Sequence, residues 1–161
     1  MKELLEKISS YNLFNYLLPG IIFVVIASKI THYDFIQGDI VIGLFLYYFI
    51  GLVISRFGSL VIEPILKRFS FIQFADYKDF IAASKKDEKI ELFSEINNTY
   101  RTISALFILL LLLKLYEKIE CKYSVLKECC PVILILLLLV TFLFSYKKQT
   151  SYIKKRVKAN Q

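Results

Sequence analysis

The chain has 161 residues, 57% of them hydrophobic, a mean hydropathy of +0.55 and a formal net charge of +7. A soluble domain of this length has too large a surface to keep wet at that apolar content, which excludes the ordinary globular classes. Strong apolarity and strong basic charge coexist when they are segregated along the chain, as in an all-α integral membrane protein with one basic face.

Residues 1–10 read as a short amphipathic helix, with Leu4, Leu5 and Ile8 on one face and Lys and Glu on the other, suited to lying at a membrane interface. Ser9 to Ser28 is then uncharged for 20 residues, enough for a helix to cross a hydrocarbon core of ~30 Å. The alternative is a cleaved signal peptide. Against it, Glu3 and Glu6 interrupt the basic residues before the run, and no small-x-small cleavage site follows. Asn12 and Asn15 enter this first crossing, where an amide is expected to hydrogen-bond a neighbouring helix. Leu17 to Gly20, LLPG, is expected to break or kink it. The loop THYDFIQGD carries the only histidine, His32. It has no second His or Cys beside it, which argues against a metal site.

Ile40 to Ser55 is uncharged for 16 residues, and the apolar pattern resumes after Arg56 and runs to Ile62. Sixteen residues of helix rise about 24 Å, which puts Arg56 near the membrane edge. One reading makes it a snorkelling arginine that marks that edge. The other starts from Gly51, Ser55 and Ser59, which recur every four residues as a seam for close helix approach. Arg56 lies beside that seam, and Glu63 comes seven residues later at almost the same angle. On this second reading Arg56, Glu63 and the seam line or gate a pore, or pair across subunits. Pro64 is expected to kink or end the helix.

Residues 66–101 form the only sizeable soluble part. Phe74, Tyr77 and Phe80 have helical spacing. Asp87 suits an N-cap, and Ile90, Phe93, Ile96 and Tyr100 make an apolar stripe. No Gly or Pro intervenes before the next apolar run, so Asp87 to Tyr116 is expected to be one helix of about 45 Å. A segment this short buries little core of its own, so its aromatics are expected to pack on copies or a partner. Lys67, Arg68, Lys85, Lys86 and Arg101, interleaved with aromatics, also have the chemistry of a phosphate and base site.

The third crossing, Thr102 to Leu113, is the shortest uncharged run and spans only if Lys114 snorkels. Cys121, Cys129 and Cys130 follow; on an oxidising side, Cys121 could pair with Cys129 or Cys130 and brace the turn at Pro131. Cys129 to Tyr146 is the fourth crossing. The tail, residues 147–161, is basic and suits anionic lipid. The organisation is therefore an interfacial helix (1–10), crossings one and two (11–65), a cytoplasmic helical segment (66–101), crossings three and four (102–146) and the tail (147–161). Four crossings put both termini on one side. The connecting segments on that side hold most of the 21 basic residues, so by the positive-inside rule it is the cytoplasmic side of a bacterial inner membrane.

No Gly-rich phosphate loop, HExxH motif or nucleophile elbow occurs. The expectation is a protein with no catalytic residues, no metal and no cofactor. Three classes remain: an oligomeric channel or pore-forming effector, a membrane sensor or anchor for a soluble partner, and a transporter accessory or lipid-binding protein.

FNYLLPG, ISRFGSLVIEP, the aromatic-basic segment and the basic tail together resemble the small four-helix membrane proteins of bacterial anti-phage defence systems. The membrane channel component of the Hailong system is the first likeness and the membrane subunit of the Kiwa system the second. The first implies a homo-tetrameric channel gated by short nucleic acid or a nucleotide messenger from a partner nucleotidyltransferase. The second implies a sensor that holds a DNA-binding partner. The resemblance is one of layout, and no residue role is transferred by it.

Overall fold

The computed structural model describes residues 12–123 and 125–159; the amphipathic stretch expected over residues 2–10 lies outside them. Every described element is a helix. α1 is Leu13–Ile30, α2 is Ile40–Arg68, α3 is Tyr77–Ser84, α4 is Lys89–Glu120 and α5 is Val125–Ala159. Three of these, α1, α2 and α5, are long and apolar enough to cross a membrane. The chain is thus an all-helical protein of membrane type.

Two prolines that were expected to interrupt helices do not. Pro19 and Pro64 are each preceded by a widened, π-helical turn, Leu13–Leu17 in α1 and Gly58–Ile62 in α2. Each wide turn occupies the same register, from six to two residues before its proline. A proline ring in a regular helix clashes with the carbonyl four residues back. A local π adjustment moves that carbonyl aside, so the helix passes through the proline with its backbone satisfied. α2 accordingly runs four residues past Pro64, to Arg68. It begins at Asp39, whose carboxylate accepts from the backbone N–H groups of Val41 (2.8 Å) and Ile42 (2.9 Å). It ends in a Schellman turn: Phe71 N–H donates to the Leu66 carbonyl and Ser70 N–H to the Lys67 carbonyl, each at 3.0 Å. Ser70 sits there at φ 56°, a position glycine usually fills.

The long helix foreseen from Asp87 is α4, with Asp87 accepting from Lys89 N–H at 2.9 Å. Thirty-two residues make it about 48 Å long. Phe74, expected to share a helix with Tyr77 and Phe80, lies in the loop before α3. Tyr77 packs on Tyr152 of α5, ring centroids 6.2 Å apart. The aromatics of this segment therefore find at least part of their packing within the chain.

The core is made by three helices. Ala27 of α1, Ile54 and Ile62 of α2, and Ala105, Leu106 and Leu110 of α4 form one buried cluster. α1 and α2 touch backbone to backbone: a Cβ on Gly20 would run into the Tyr47 carbonyl, and one on Gly51 into the Tyr16 carbonyl. Here glycine is required for close approach, the role small residues play in membrane helix pairs. α5 stands outside this core and has no buried residue among those described. It meets α2 through the Phe49–Phe142 ring contact (centroids 5.9 Å) and through Lys148.

Candidate functional site: a carboxylate hub at the basic end of the bundle

The start of α1, the end of α2, the first half of α4 and the second half of α5 share one end of the bundle. Two polar layers lie there. In the upper one, Asn15, Ser55 and Thr102 are fully buried, one from each core helix. Thr102 Oγ1 lies 2.8 Å from Asn15 Oδ1, 3.2 Å from Ser55 Oγ and 2.9 Å from its own helix at the Asn98 carbonyl. Asn15 Nδ2 donates to Ser55 Oγ at 3.3 Å. The asparagine foreseen as a hydrogen-bonding residue thus closes a three-helix network. Beside it, Arg56 Nη2 donates to the Tyr16 hydroxyl at 3.0 Å.

The lower layer is built on Glu63, which is only 5% exposed. The widened turn before Pro64 keeps α2 helical to this depth, and so delivers the carboxylate between α4 and α5. Three cations from three helices meet it: Arg101 at 2.7 Å, Lys67 at 3.1 Å and Lys148 at 3.5 Å. Lys148 also donates to Ser59 through both its carbonyl and its hydroxyl, each at 2.7 Å. Lys67 lies over the Phe74 ring, 4.1 Å from its centroid. A carboxylate removed from water needs this degree of compensation, since a buried unpaired charge costs several kcal/mol. One negative charge against three positive ones leaves the hub cationic. Arg56 and Arg101 each bury an Nε–H with no hydrogen-bond partner among the described residues.

The residues singled out from sequence are distributed as follows. Gly51 faces α1, Ser55 belongs to the buried network and Ser59 receives Lys148, so the small-residue seam is used within one chain. Arg56 and Glu63 take different partners, Tyr16 for one and the three cations for the other. Of the five cations expected to form a phosphate site, Lys67 and Arg101 converge on Glu63. Arg68 is exposed at the end of α2, and Lys85 and Lys86 are exposed at the turn after α3. Lys148 completes the hub and was not foreseen. Its place two residues past an uncharged run marks an interface lysine, but its partner is 85 residues away.

The opposite end carries a second polar set. Glu117 accepts from the backbone N–H of His32 at 2.7 Å and from Lys114, and its Oε1 lies 2.9 Å from His32 Nδ1. The Lys114 hydrogen bond first, and the His32 N–H second, hold the Glu117 carboxyl below the usual glutamate range. Tyr33 donates to Glu120. Burial, then that carboxylate, push its phenol above the usual tyrosine value. Cys121, Cys129 and Cys130 are free thiols; the turn beside them is braced by the Tyr116 hydroxyl on the Leu126 carbonyl, 3.1 Å. Among the described residues no three His, Cys, Asp or Glu side chains converge as metal ligands.

The fold and site define a class, an all-helical membrane protein with a cationic hub at one end. Compared with protein-family models, curated proteins and solved structures, the chain matches none.

Proposed function

We propose that the chain is one subunit of an oligomeric ion channel or pore-forming effector in a bacterial inner membrane, with four crossings and both termini cytoplasmic. An anionic nucleotide or oligonucleotide gates it at the basic end, and the setting is anti-phage defence, as the resemblance implies. The proposal assigns the protein no catalytic step. The observation that carries it is the Glu63 hub. It ties α2, α4 and α5 together through ion pairs to one carboxylate, at the root of the longest connecting segment among the described residues, 69–88. Phosphate groups compete with Glu63 for Arg101 and Lys67, and Arg68, Lys85 and Lys86 stand exposed on the neighbouring segment. A ligand that takes those cations changes how α2 and α4 are held, and it shifts the open–closed equilibrium by its differential affinity for the two states. α5, apolar and with no buried residue, supplies lateral surface for copies or lipid.

A second reading is favoured by one observation. Phe69 and Phe71 are 77% and 78% exposed in the loop after α2. That suits a sensor or anchor whose loop docks a soluble DNA-binding partner.

Ion flux in proteoliposomes, with and without short single-stranded oligonucleotides, separates the two. The channel reading expects flux that responds to oligonucleotide, with a response that weakens steeply as salt rises because phosphate contacts dominate it. Glu63→Gln should change the ligand concentration needed, and Arg56→Ala the conductance. Silence under every condition, together with one-to-one capture of a soluble partner, would establish the anchor instead.

A further inference from the structure

Between α2 and α5 runs a groove that meets the hub only at Lys148 and that the gating proposal does not use. It consists of two adjoining cavities of about 260 and 350 Å³, which share Leu60 and Phe144. The first is apolar, lined by Phe57, Leu60, Val61, Val140, Thr141 and Phe144. The second, an open depression, continues down α5 past Lys147, Ser151 and Lys155, which recur every four residues on one face, and is lined also by Lys148 and Tyr152. The groove is held in place by fixed contacts between the two helices, Phe49 on Phe142 and Lys148 on Ser59.

We propose that this groove binds one anionic phospholipid, with an acyl chain in the apolar cavity and the phosphate between Lys147 and Lys155. Polarity along the groove follows membrane depth. The uncharged run Cys129 to Tyr146 ends one residue before Lys147, so the lysines begin where hydrocarbon gives way to headgroups. Tyr146 and Tyr152 supply the amphipathic rings found at that level. Charge selects the headgroup. Lys148 is committed to Ser59 and Glu63, whereas neither Lys147 nor Lys155 has a carboxylate partner among the described residues. Two such cations beside Ser151, a hydroxyl donor, complement a phosphodiester that bears net negative charge and discriminate against a zwitterion. The apolar cavity is what a soluble phosphate compound would leave empty, and it commits the site to a lipid. The inference needs only that α5 crosses the bilayer, and it stands or falls separately from gating.

The test is native mass spectrometry of the delipidated full chain in detergent, titrated with phosphatidylglycerol or with phosphatidylcholine of the same acyl chains. Phosphatidylglycerol should bind at least about tenfold tighter, and Lys147→Gln with Lys155→Gln should weaken it about 25-fold while leaving phosphatidylcholine unchanged, at roughly fivefold per interfacial lysine. Leu60→Trp, which fills the shared part of the groove, should weaken both lipids. Glycerol 3-phosphate at lipid concentration should not compete. The control pair Lys154→Gln with Lys158→Gln removes the same charge from the exposed tail and should leave binding intact. Equal affinity for the two lipids would overturn the proposal. So would an equal loss in the control pair, which would mean general attraction to a basic tail. Competition by glycerol 3-phosphate would make this a site for free phosphate compounds. All four lysines are exposed, so these variants keep the fold, and a melting curve for each verifies it.

Discussion

α4 and α5 are the two longest helices, with 32 and 35 residues, and they are used in opposite ways. α5 has the more apolar middle, and none of its residues is buried; it touches α2 along one face only, through Phe142 and Lys148. α4 has the shortest uncharged run of the four expected crossings, yet it sits at the centre, with Thr102, Ala105, Leu106 and Leu110 buried. The difference teaches what hydropathy measures. It reports what a helix tolerates around it, and lipid suffices for α5. A helix that carries Arg101, Thr102, Lys114, Glu117 and Glu120 cannot be surrounded by lipid, so the polar groups that lower its hydropathy are the ones that draw it inside. Each finds its partner on another helix or the first loop. In the four-crossing reading α4 is the third crossing, sheltered by α1 and α2 rather than by its own composition.

The largest expected effect tests the scaffold that makes a centre available. Gly51→Leu drives a side chain into the Tyr16 backbone carbonyl, which has no flexible end to swing away. Overpacking commonly costs ~1–3 kcal/mol and more when backbone must move. We expect a loss of at least about 3 kcal/mol, seen as failure to yield a monodisperse protein. An unperturbed melting curve would mean that α1 and α2 do not cross where described.

The direct comparison comes next. Leu106→Ala in α4 should destabilise by ~2–5 kcal/mol, since Leu106 is 1% exposed. Leu137→Ala in α5, where the residue is 60% exposed, should stay within about 0.5 kcal/mol. Both are leucine truncations in apolar runs, so steric or propensity differences between the two sites are small. Equal losses in denaturant-unfolding curves would show that α5 is buried against copies of the chain, and would convert this contrast into evidence for an oligomer.

Third is the polar layer. Thr102→Val keeps the shape and removes the hydroxyl shared by Asn15 and Ser55. Hydrogen bonds between membrane helices contribute ~0.6 kcal/mol on average and up to ~1.7, so a loss of about 1–2 kcal/mol is expected. A double-mutant cycle with Asn15→Leu should show coupling, because the two groups share the network.

Much of this was legible from spacing. The uninterrupted helix from Asp87, the hydrogen-bonding role of Asn15 and the close-approach role of Gly51 all follow from local pattern. What was not legible has a common cause: it depends on a backbone adjustment or on a distant partner. Pro64 reads as a stop because nothing in GSLVI announces a wide turn. With α2 expected to kink or end there, Glu63 reads as a member of a pore ring or as half of a pair across subunits. Once α2 continues, Glu63 lies between helices and must be compensated, and Lys148 becomes a necessity. Ser55 and Ser59 read as part of a seam for close helix approach, and small size alone fits a contact within the chain and one across a pore or subunit interface equally well. Only the positions of Thr102 and Lys148 reveal that this seam is filled within the chain.

The smallest effect concerns the far end of α4, just past the run from Thr102 to Tyr116. Glu117 is held below the usual carboxylate value by Lys114 and by the His32 N–H, with the His32 ring beside them. A depressed folded-state value means that the ionised form is favoured by the fold. Its stabilising contribution is therefore complete above the usual glutamate value and is lost as the pH falls through the lower, folded one. The Lys114 and His32 side chains are both exposed to a substantial degree, and solvent screening keeps the contribution small. Comparing melting temperatures at neutral and acid pH, the wild-type chain should lose more than Glu117→Gln, which has already given up the ionised form. The Glu63 hub provides the contrast: Glu63→Gln removes the buried charge that three cations share at the basic end of the bundle, so its penalty at neutral pH should exceed that of Glu117→Gln. If the two glutamines cost the same, the basic end of α4 is no more tightly held than its loop end, and the hub loses its claim to be the control point.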